Sequence, residues 1–284
     1  MSRYFFSVCL LITLLITGLL SASAQPANSG APTYLRAIYR LDYKLDSAVV
    51  IPKSEQMILR IYDGKSCFQS KAKQMQDSLF TTLNHLSGQE QLNKAGPILS
   101  KLGKTEIRYS IFKEPSKDLV LYHDVIGTED HQYQENAPLF HWKITPVRKA
   151  VAGYECQQAF TGFGGRTFEA WFTRDIPVSE GPYKFYGLPG LIVKVRDTHS
   201  NYLFELLSFE NNPKPFDISA TSPVILGPSA SAPLIKKAKF KQAKHNDELT
   251  IFDRFAASGN IIPEGIQRDY FAKIKRQNNP LELK

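Results

Sequence analysis

The sequence predicts an α+β fold, in which a few helices cover one large, curved antiparallel β-sheet. Three observations support this class. Apolar and polar residues alternate with a period of two through much of the chain, as in strands with two unlike faces. Aromatic residues reach 12% of the composition, which favours β-structure. Helical spacing of apolar residues is confined to a few segments.

The period of two marks about nine strands. The clearest covers residues 35–45, where Leu35, Tyr39 and Leu45 share one face. Two hairpins stand out: residues 156–163 pair with 167–173 across Gly164-Gly165, and residues 191–196 pair with 202–209. The other predicted strands cover residues 57–61, 107–112, 119–126 and 140–144, and a turn signal at Asp63-Gly64 leads from the first of these into residues 66–68.

Helical spacing predicts an amphipathic helix over residues 71–86 and further helices around 249–255 and 266–274. Gly96-Pro97 and Gly103 predict a loop after the first helix. A Pro/Ser-rich stretch at 211–233 predicts a surface excursion between the sheet and the helical C-terminal segment. We expect one domain over residues 34–284.

The N-terminal segment has the pattern of a secretory signal peptide over residues 1–24. Arg3 precedes an uncharged apolar run, and Ala22-Ser23-Ala24 supplies the small residues of a cleavage site before Gln25. Residues 25–33 are predicted to form a flexible linker. The sequence therefore predicts export to the periplasm or cell envelope, without a transmembrane anchor in the mature chain.

The net charge of +8 comes from 35 Lys+Arg against 27 Asp+Glu. The densest basic stretch, residues 236–244, is interpreted as a solvated helix face. Because export separates the chain from cytoplasmic nucleic acid, we predict no nucleic-acid partner.

Two cysteines, Cys67 and Cys156, remain once the signal peptide is removed. An oxidising compartment would allow them to form a disulfide. The alternative is two separate buried thiols that act as small apolar side chains.

No familiar catalytic motif is present, because the chain lacks Gly-x-Ser-x-Gly, His-Glu-x-x-His, a Walker loop and Cys-x-x-Cys. His123, His131 and His141 lie among acidic residues, but their spacing fits no known ligand pattern. We therefore predict no cofactor and no metal site, and leave the catalytic residues unassigned.

One polar and aromatic group is a candidate ligand site: Arg166, Glu169 and Trp171, together with Lys184 and Tyr186. In a strand, Glu169 and Trp171 share one face and could line a groove. The structural alternative is that Trp171 covers a neighbouring strand while Glu169 pairs with a lysine.

A distinctive hexapeptide follows this group. Pro189 and Gly190 predict a type II turn with a positive φ at Gly190, feeding a buried strand. Asparagine tolerates positive φ better than valine, so Gly190→Asn is expected to be the milder substitution. The six residues are Gly187, Leu188, Pro189, Gly190, Leu191 and Ile192.

This hexapeptide is the signature of the GLPGLI family of exported bacterial proteins, which the chain resembles. The resemblance continues through residues 153–156 with Ala159, and through 165–166, 169–173, 176–177, 181–185 and 278–283. It implies a protein of the bacterial envelope without an established activity. The strand order also resembles the half-open barrels of lipoprotein carriers, whose concave face binds acyl chains, which is an analogy of fold alone.

These observations favour a non-catalytic envelope protein that binds a partner protein or an apolar ligand. One alternative is a hydrolase or other enzyme with dispersed acidic and histidine residues, and another is a metal-handling periplasmic protein. The strands are apolar on both faces, so the sheet needs two coverings. We predict that its concave face, incompletely covered by helices, is the working surface.

Overall fold

The computed structural model describes residues 34–102, 105–136, 138–211 and 232–283. They belong to one unit, Thr33–Lys284. The predicted signal peptide and linker, and most of the Pro/Ser-rich stretch, lie outside the described residues.

Within the described ranges, eleven strands form one antiparallel sheet in the order β6-β5-β4-β3-β2-β1-β11-β10-β9-β8-β7. The sheet is open, with β6 and β7 at its edges, and the predicted fold class is confirmed. The bounds are β1 Tyr34–Tyr43, β2 Lys53–Tyr62, β3 Lys65–Ser70, β4 Ser110–Glu114, β5 Leu119–Ile126, β6 Glu129–Gln134, β7 Lys143–Val151, β8 Tyr154–Phe163, β9 Arg166–Thr173, β10 Leu191–Asp197 and β11 Tyr202–Asn211.

The curvature of the sheet follows from contacts between distant strands. The ring centroids of Phe68 on β3 and Phe204 on β11 are 6.0 Å apart, although β2 and β1 lie between these strands. On a flat sheet their backbones would be about 14 Å apart. We call the face that bears Tyr39, Phe68 and Phe204 the inner face, and the opposite one the outer face.

Four α-helices in the described residues cover parts of both faces. α1 packs on the outer side of β2 and β3, and α2 packs against α1. α3 packs against β5 and β6, where Phe240 contacts Tyr122 and Tyr133 of the inner face. None of these helices is long and apolar enough to cross a membrane. Their bounds are α1 Lys71–Thr82, α2 Gly88–Leu102, α3 Lys237–Ala257 and α4 Glu264–Arg276.

Helix α2 replaces the loop predicted from Gly96-Pro97. Ala95, Ile98 and Leu102 recur at helical spacing, and Ala95 is fully buried. This amphipathic pattern outweighs the hydrogen bond that Pro97 cannot donate. The helical period is therefore the stronger signal, and the glycine and proline do not end the helix.

Two strands also differ from the prediction. β6 is absent from the predicted strands because Glu129–Gln134 is largely polar and has little β-propensity, yet it pairs in register with β5. The strand predicted at 140–144 begins only at Lys143. Phe140 and Trp142 precede it and pack against the core as part of a connecting segment.

Cys67 and Cys156 do not form a disulfide. They are two separate buried thiols, which is the alternative to the disulfide in the sequence analysis. Cys67 packs with Phe112 and Leu121 in a small outer cluster, whereas Cys156 belongs to the main core. Burial raises the pKa of both thiols, that of Cys156 to about 11.

Candidate functional site on the inner face

The connection between β9 and β10, residues 174–190, fills much of the inner face. We call it the signature loop. Its Phe185 is fully buried, with ring centroids 4.8 Å from Phe168 and 5.2 Å from Phe140. Ile176 and Leu188 join the same core. The chain itself therefore covers the surface that the sequence left for a ligand.

A buried lysine on β4 binds the signature loop and so connects the β9–β10 region to the β3–β5 half of the sheet. The Lys113 ammonium, on β4, lies 2.6 Å from the Glu180 carboxylate and donates to the carbonyl oxygens of Gly181 and Phe185. Lys113 is 2% exposed and Glu180 5%. Burial lowers the pKa of Lys113, and the Glu180 charge opposes that shift.

The C-terminal segment, residues 278–283, crosses the inner face beside the loop. The Arg166 guanidinium donates to the carbonyl oxygens of Pro280 and Leu281 and forms an ion pair of 3.2 Å with Asp197. Farther along, the Leu283 amide donates to the Gly164 carbonyl at 2.7 Å. Arg166 thus positions this segment of its own chain.

A second buried lysine joins the signature loop, the C-terminal segment and α3. The Lys184 ammonium contacts the carboxylates of Glu135 and Glu282, and Lys237 bridges the same two at 2.8 and 2.7 Å. Burial alone would raise the pKa of Glu282, but the two lysines hold it at about 2. Lys184 also lies 5.1–5.3 Å from three ring centroids, those of Tyr122, Tyr133 and Tyr183.

The signature turn has the positive φ predicted at Gly190, at +147°, but a different hydrogen-bond pattern. The Leu191 amide donates to Ile176, not to Leu188 as a type II turn requires. A Cβ atom at Gly190 would lie 1.9 Å from the Thr173 carbonyl oxygen. This close approach leaves no room for any side chain at position 190. We therefore expect Gly190→Asn to destabilise the fold severely, and not mildly as the sequence alone suggested.

The structure does not bring the five predicted ligand residues together. Arg166 and Lys184 lie on the inner side, bound to other parts of the chain. Glu169 and Trp171 lie on the outer side of β9, where the indole N–H donates to Glu169 at 3.1 Å. Tyr186 is buried, and its carbonyl accepts a hydrogen bond from Trp142.

Trp171 is packed in the core, as the structural alternative expected, and does not line an open groove. It is 4% exposed and belongs to the main core, with the Lys149 ammonium 3.9 Å from its ring centroid. Glu169 accepts hydrogen bonds from Arg196 at 2.6 Å and from Gln158 at 2.8 Å.

One part of the inner face remains open, a cavity of about 390 Å³ between the sheet, α3 and the C-terminal segment. We call it the tyrosine cavity. Within the described residues, the hydroxyls of Tyr109 and Tyr122 have no hydrogen-bond partner. They are available to a ligand. The aromatic lining residues are Tyr109, Tyr122, Tyr133, Tyr183, Tyr202 and Phe240.

The rim of the tyrosine cavity carries charge of both signs. Asp124 pairs with Lys244 at 2.5 Å, whereas Arg108, Lys241 and His245 are exposed. Glu248 is half-buried, and burial raises the pKa of its carboxyl. The sequence predicted a working surface on the concave face, but none of the five candidate ligand residues lines this cavity. Tyrosines placed on one face of several strands were the only available signal.

The three histidines considered as metal ligands do not converge. His123 pairs with Asp130 at 3.0 Å, and the His131 ring contacts the Glu129 carbonyl oxygen. Over the part of the chain that the structure describes, no three His, Cys, Asp or Glu side chains are arranged to hold a metal ion.

Comparison with known families gives one match. A family model described as a protein of unknown function (Porph_ging) matches residues 164–194, from the β8–β9 turn through the signature turn. This short match is consistent with the GLPGLI resemblance of that segment. No curated protein sequence matches the chain.

Among solved structures, the chain is similar to PNGF-II in two crystal forms. The TM-score is 0.51 in both, at 14% and 15% identity, covering 76% of this chain. The chain spans about a third of PNGF-II, 33% and 34% in the two forms. The MucA/MucB complex of Pseudomonas aeruginosa matches with a TM-score of 0.32 at 6% identity, over 69% of this chain and 58% of the matched one. These likenesses concern the fold alone.

Proposed function

We propose that the protein is an exported, non-catalytic binding protein of the cell envelope and that the tyrosine cavity is its ligand site. One observation carries this proposal. The signature loop and the C-terminal segment cover much of the inner face, yet the tyrosine cavity stays open, and its Tyr109 and Tyr122 hydroxyls have no hydrogen-bond partner among the described residues. Its volume of about 390 Å³ lies in the range of small-molecule sites.

The chemistry of the lining indicates the kind of ligand. Aromatic rings offer flat apolar surfaces with a polar edge. The exposed Arg108 and Lys241 at the rim would favour an acidic group on the ligand. We therefore propose a mainly apolar, ring-containing ligand with an acidic substituent.

Titration with 1-anilinonaphthalene-8-sulfonate, an aromatic sulfonate, tests the site. Tyr109→Ala removes a lining ring and should weaken binding about ten-fold, the loss of one aromatic contact. Tyr109→Phe removes only the hydroxyl and should have a smaller effect. Tyr62→Ala, at the end of β2 and outside the cavity, is the matched control. Equal affinity of all four proteins would contradict the proposal.

Export is the other part of the proposal, supported by the signal-peptide pattern of residues 1–24. N-terminal sequencing of protein from a fractionated envelope should begin at Gln25. Finding Met1 in the membrane fraction would show that the segment anchors the chain. Native mass spectrometry of the same preparation should show a bound small molecule, whereas a bound protein would favour the partner alternative.

One observation favours an enzyme as a second candidate. Glu248 combines a raised pKa with a place in a cleft, as a general acid does. Chromogenic esters and glycosides test this alternative. Turnover by the wild type that is lost in Glu248→Gln, with an unchanged melting temperature, would establish it.

A further inference from the structure

The outer face has an opening of its own, a groove of about 670 Å³ between the α1–α2 pair and the strands β1, β2 and β11. We call it the outer groove. Its volume lies in the range of small-molecule sites. None of the described residues that line it is aromatic, and the apolar lining is aliphatic: Ile38, Ile58, Met75, Leu79, Ile98 and Leu207 are among its members.

Aliphatic side chains from three elements remain exposed around the outer groove. Met75 of α1 is 43% exposed, Ile98 of α2 44% and Leu207 of β11 48%. An amphipathic helix normally buries such side chains against the sheet it covers. Here they surround a groove that the described residues leave open, and exposed apolar surface of this kind marks a binding site.

The charges that line the outer groove do not cancel. Arg36 and Glu210 neutralise each other in an ion pair of 2.5 Å. Lys71, at the start of α1, donates to the Gln56 side-chain oxygen at 3.0 Å and has no carboxylate partner among the described residues. The lining therefore carries one uncompensated positive charge beside an aliphatic surface.

We propose that the outer groove binds the alkyl chain of a free fatty acid, whose carboxylate lies at the Lys71 ammonium. An alkyl chain matches the aliphatic lining, and the carboxylate supplies the missing negative charge. This site is independent of the tyrosine cavity, which lies on the other face and is lined by rings.

Titration with cis-parinaric acid, a fluorescent unbranched fatty acid, tests the apolar part of the site. Ile98→Glu places a charge in the groove and should weaken binding at least about ten-fold. Leu92→Glu is the matched control, because Leu92 lies on the same helix, is 58% exposed and does not line the groove. It should leave both the affinity and the melting temperature unchanged.

The head-group contact is tested separately with Lys71→Gln, which removes the charge but keeps a donor for Gln56. Because the probe is itself a carboxylate, its own affinity is measured for each variant and used to correct the inhibition constants of the competitors. The corrected constant of hexadecanoic acid should rise about three-fold, as for a partly exposed ion pair. That of hexadecanol, which has no charge, should not change. This variant keeps the proposal testable if Ile98→Glu fails to fold.

Three results would overturn the proposal. The first is no binding of cis-parinaric acid to the wild type at micromolar concentration. The second is binding that Tyr109→Ala abolishes and Ile98→Glu leaves intact, since the probe would then occupy the tyrosine cavity. The third is a wild-type dimer that Ile98→Glu converts to a monomer in sedimentation, because a second copy would then occupy the groove.

Discussion

The ion pairs on the two faces of the sheet differ in their burial and in the parts of the chain that they join. On the inner face, the side chains of Lys184, Glu135 and Glu282 are at most 8% exposed and hold three segments of the chain together. On the outer face, ion pairs such as Lys194 with Glu205 lie between neighbouring strands, and both of these side chains are 25% exposed. The inner ion pairs therefore connect segments that are far apart in the sequence. The outer ion pairs lie between strands that backbone hydrogen bonds already hold together.

This difference indicates which ion pairs contribute most to the stability of the fold. A buried charge that loses its partner has no water to replace it, so breaking the pair is costly. An exposed pair is screened by water and salt and contributes little. Stability should depend on the loop, the C-terminal segment and their buried charges far more than on the outer ion pairs.

The largest effect is expected at the signature turn. Gly190→Asn should cost more than about 4 kcal/mol or prevent folding, because its Cβ would overlap the Thr173 carbonyl oxygen. Gly64→Asn is the matched control, since Gly64 also has a positive φ, of +72°, but no atom lies within 4 Å of the position that its Cβ would take. Urea denaturation should show a loss under about 1 kcal/mol for this control. Similar losses for the two variants would mean that the close approach is absent.

Removing the buried ammonium should be the next largest change. Lys184→Met leaves Glu135 and Glu282 with Lys237 as their remaining lysine partner, and should cost about 3–5 kcal/mol in the free energy of unfolding. The double variant Lys184→Met/Glu282→Gln removes one of the stranded carboxylates and should recover part of this loss. No recovery in urea denaturation would show that the charges are not coupled.

Acid should weaken the inner face in a defined window. The pKa of Glu282 is about 2 in the folded protein, against an ordinary value of 4.5. Its contribution of about 3 kcal/mol is therefore complete above pH 4.5 and is lost as the pH falls toward 2. Unfolding free energies measured from pH 6 to 2 should show this slope.

The slope should be smaller in Glu282→Gln, which has no carboxyl to titrate at this position. A wild-type slope that persists in Glu282→Gln would assign it to other carboxylates.

The smallest effect is expected on the outer face. Lys194→Met breaks the pair with Glu205, which still accepts a hydrogen bond from Arg40 at 2.6 Å. The loss should stay below about 1 kcal/mol and shrink further in high salt. A loss of unfolding free energy as large as that of Lys184→Met would show that ion pairs on the two faces contribute equally to stability.

Much of the sheet could be predicted because its signals are local. Alternation located β1, and turn signals located β5 and both hairpins. Gly164 and Gly165 marked the tight turn of the first hairpin, where both have a positive φ. Backbone conformation and the period of side chains depend on neighbours in the sequence, so one sequence sufficed for them. The sequence did not predict β6, because pairing with β5, and not the composition of β6 itself, makes it a strand.

The sequence by itself determined the fold class, most strands and the need for a positive φ at Gly190. Only the tertiary structure decided what the polar residues of the family-like motifs do. Lys184 and Arg166 looked like ligand-binding groups, but Glu282 lies 98 residues from Lys184, and Asn279 lies 113 from Arg166. Partners so distant in sequence leave no local pattern. Burial made these side chains links between distant parts of the chain, while the tyrosine cavity and the outer groove are among the openings that remain.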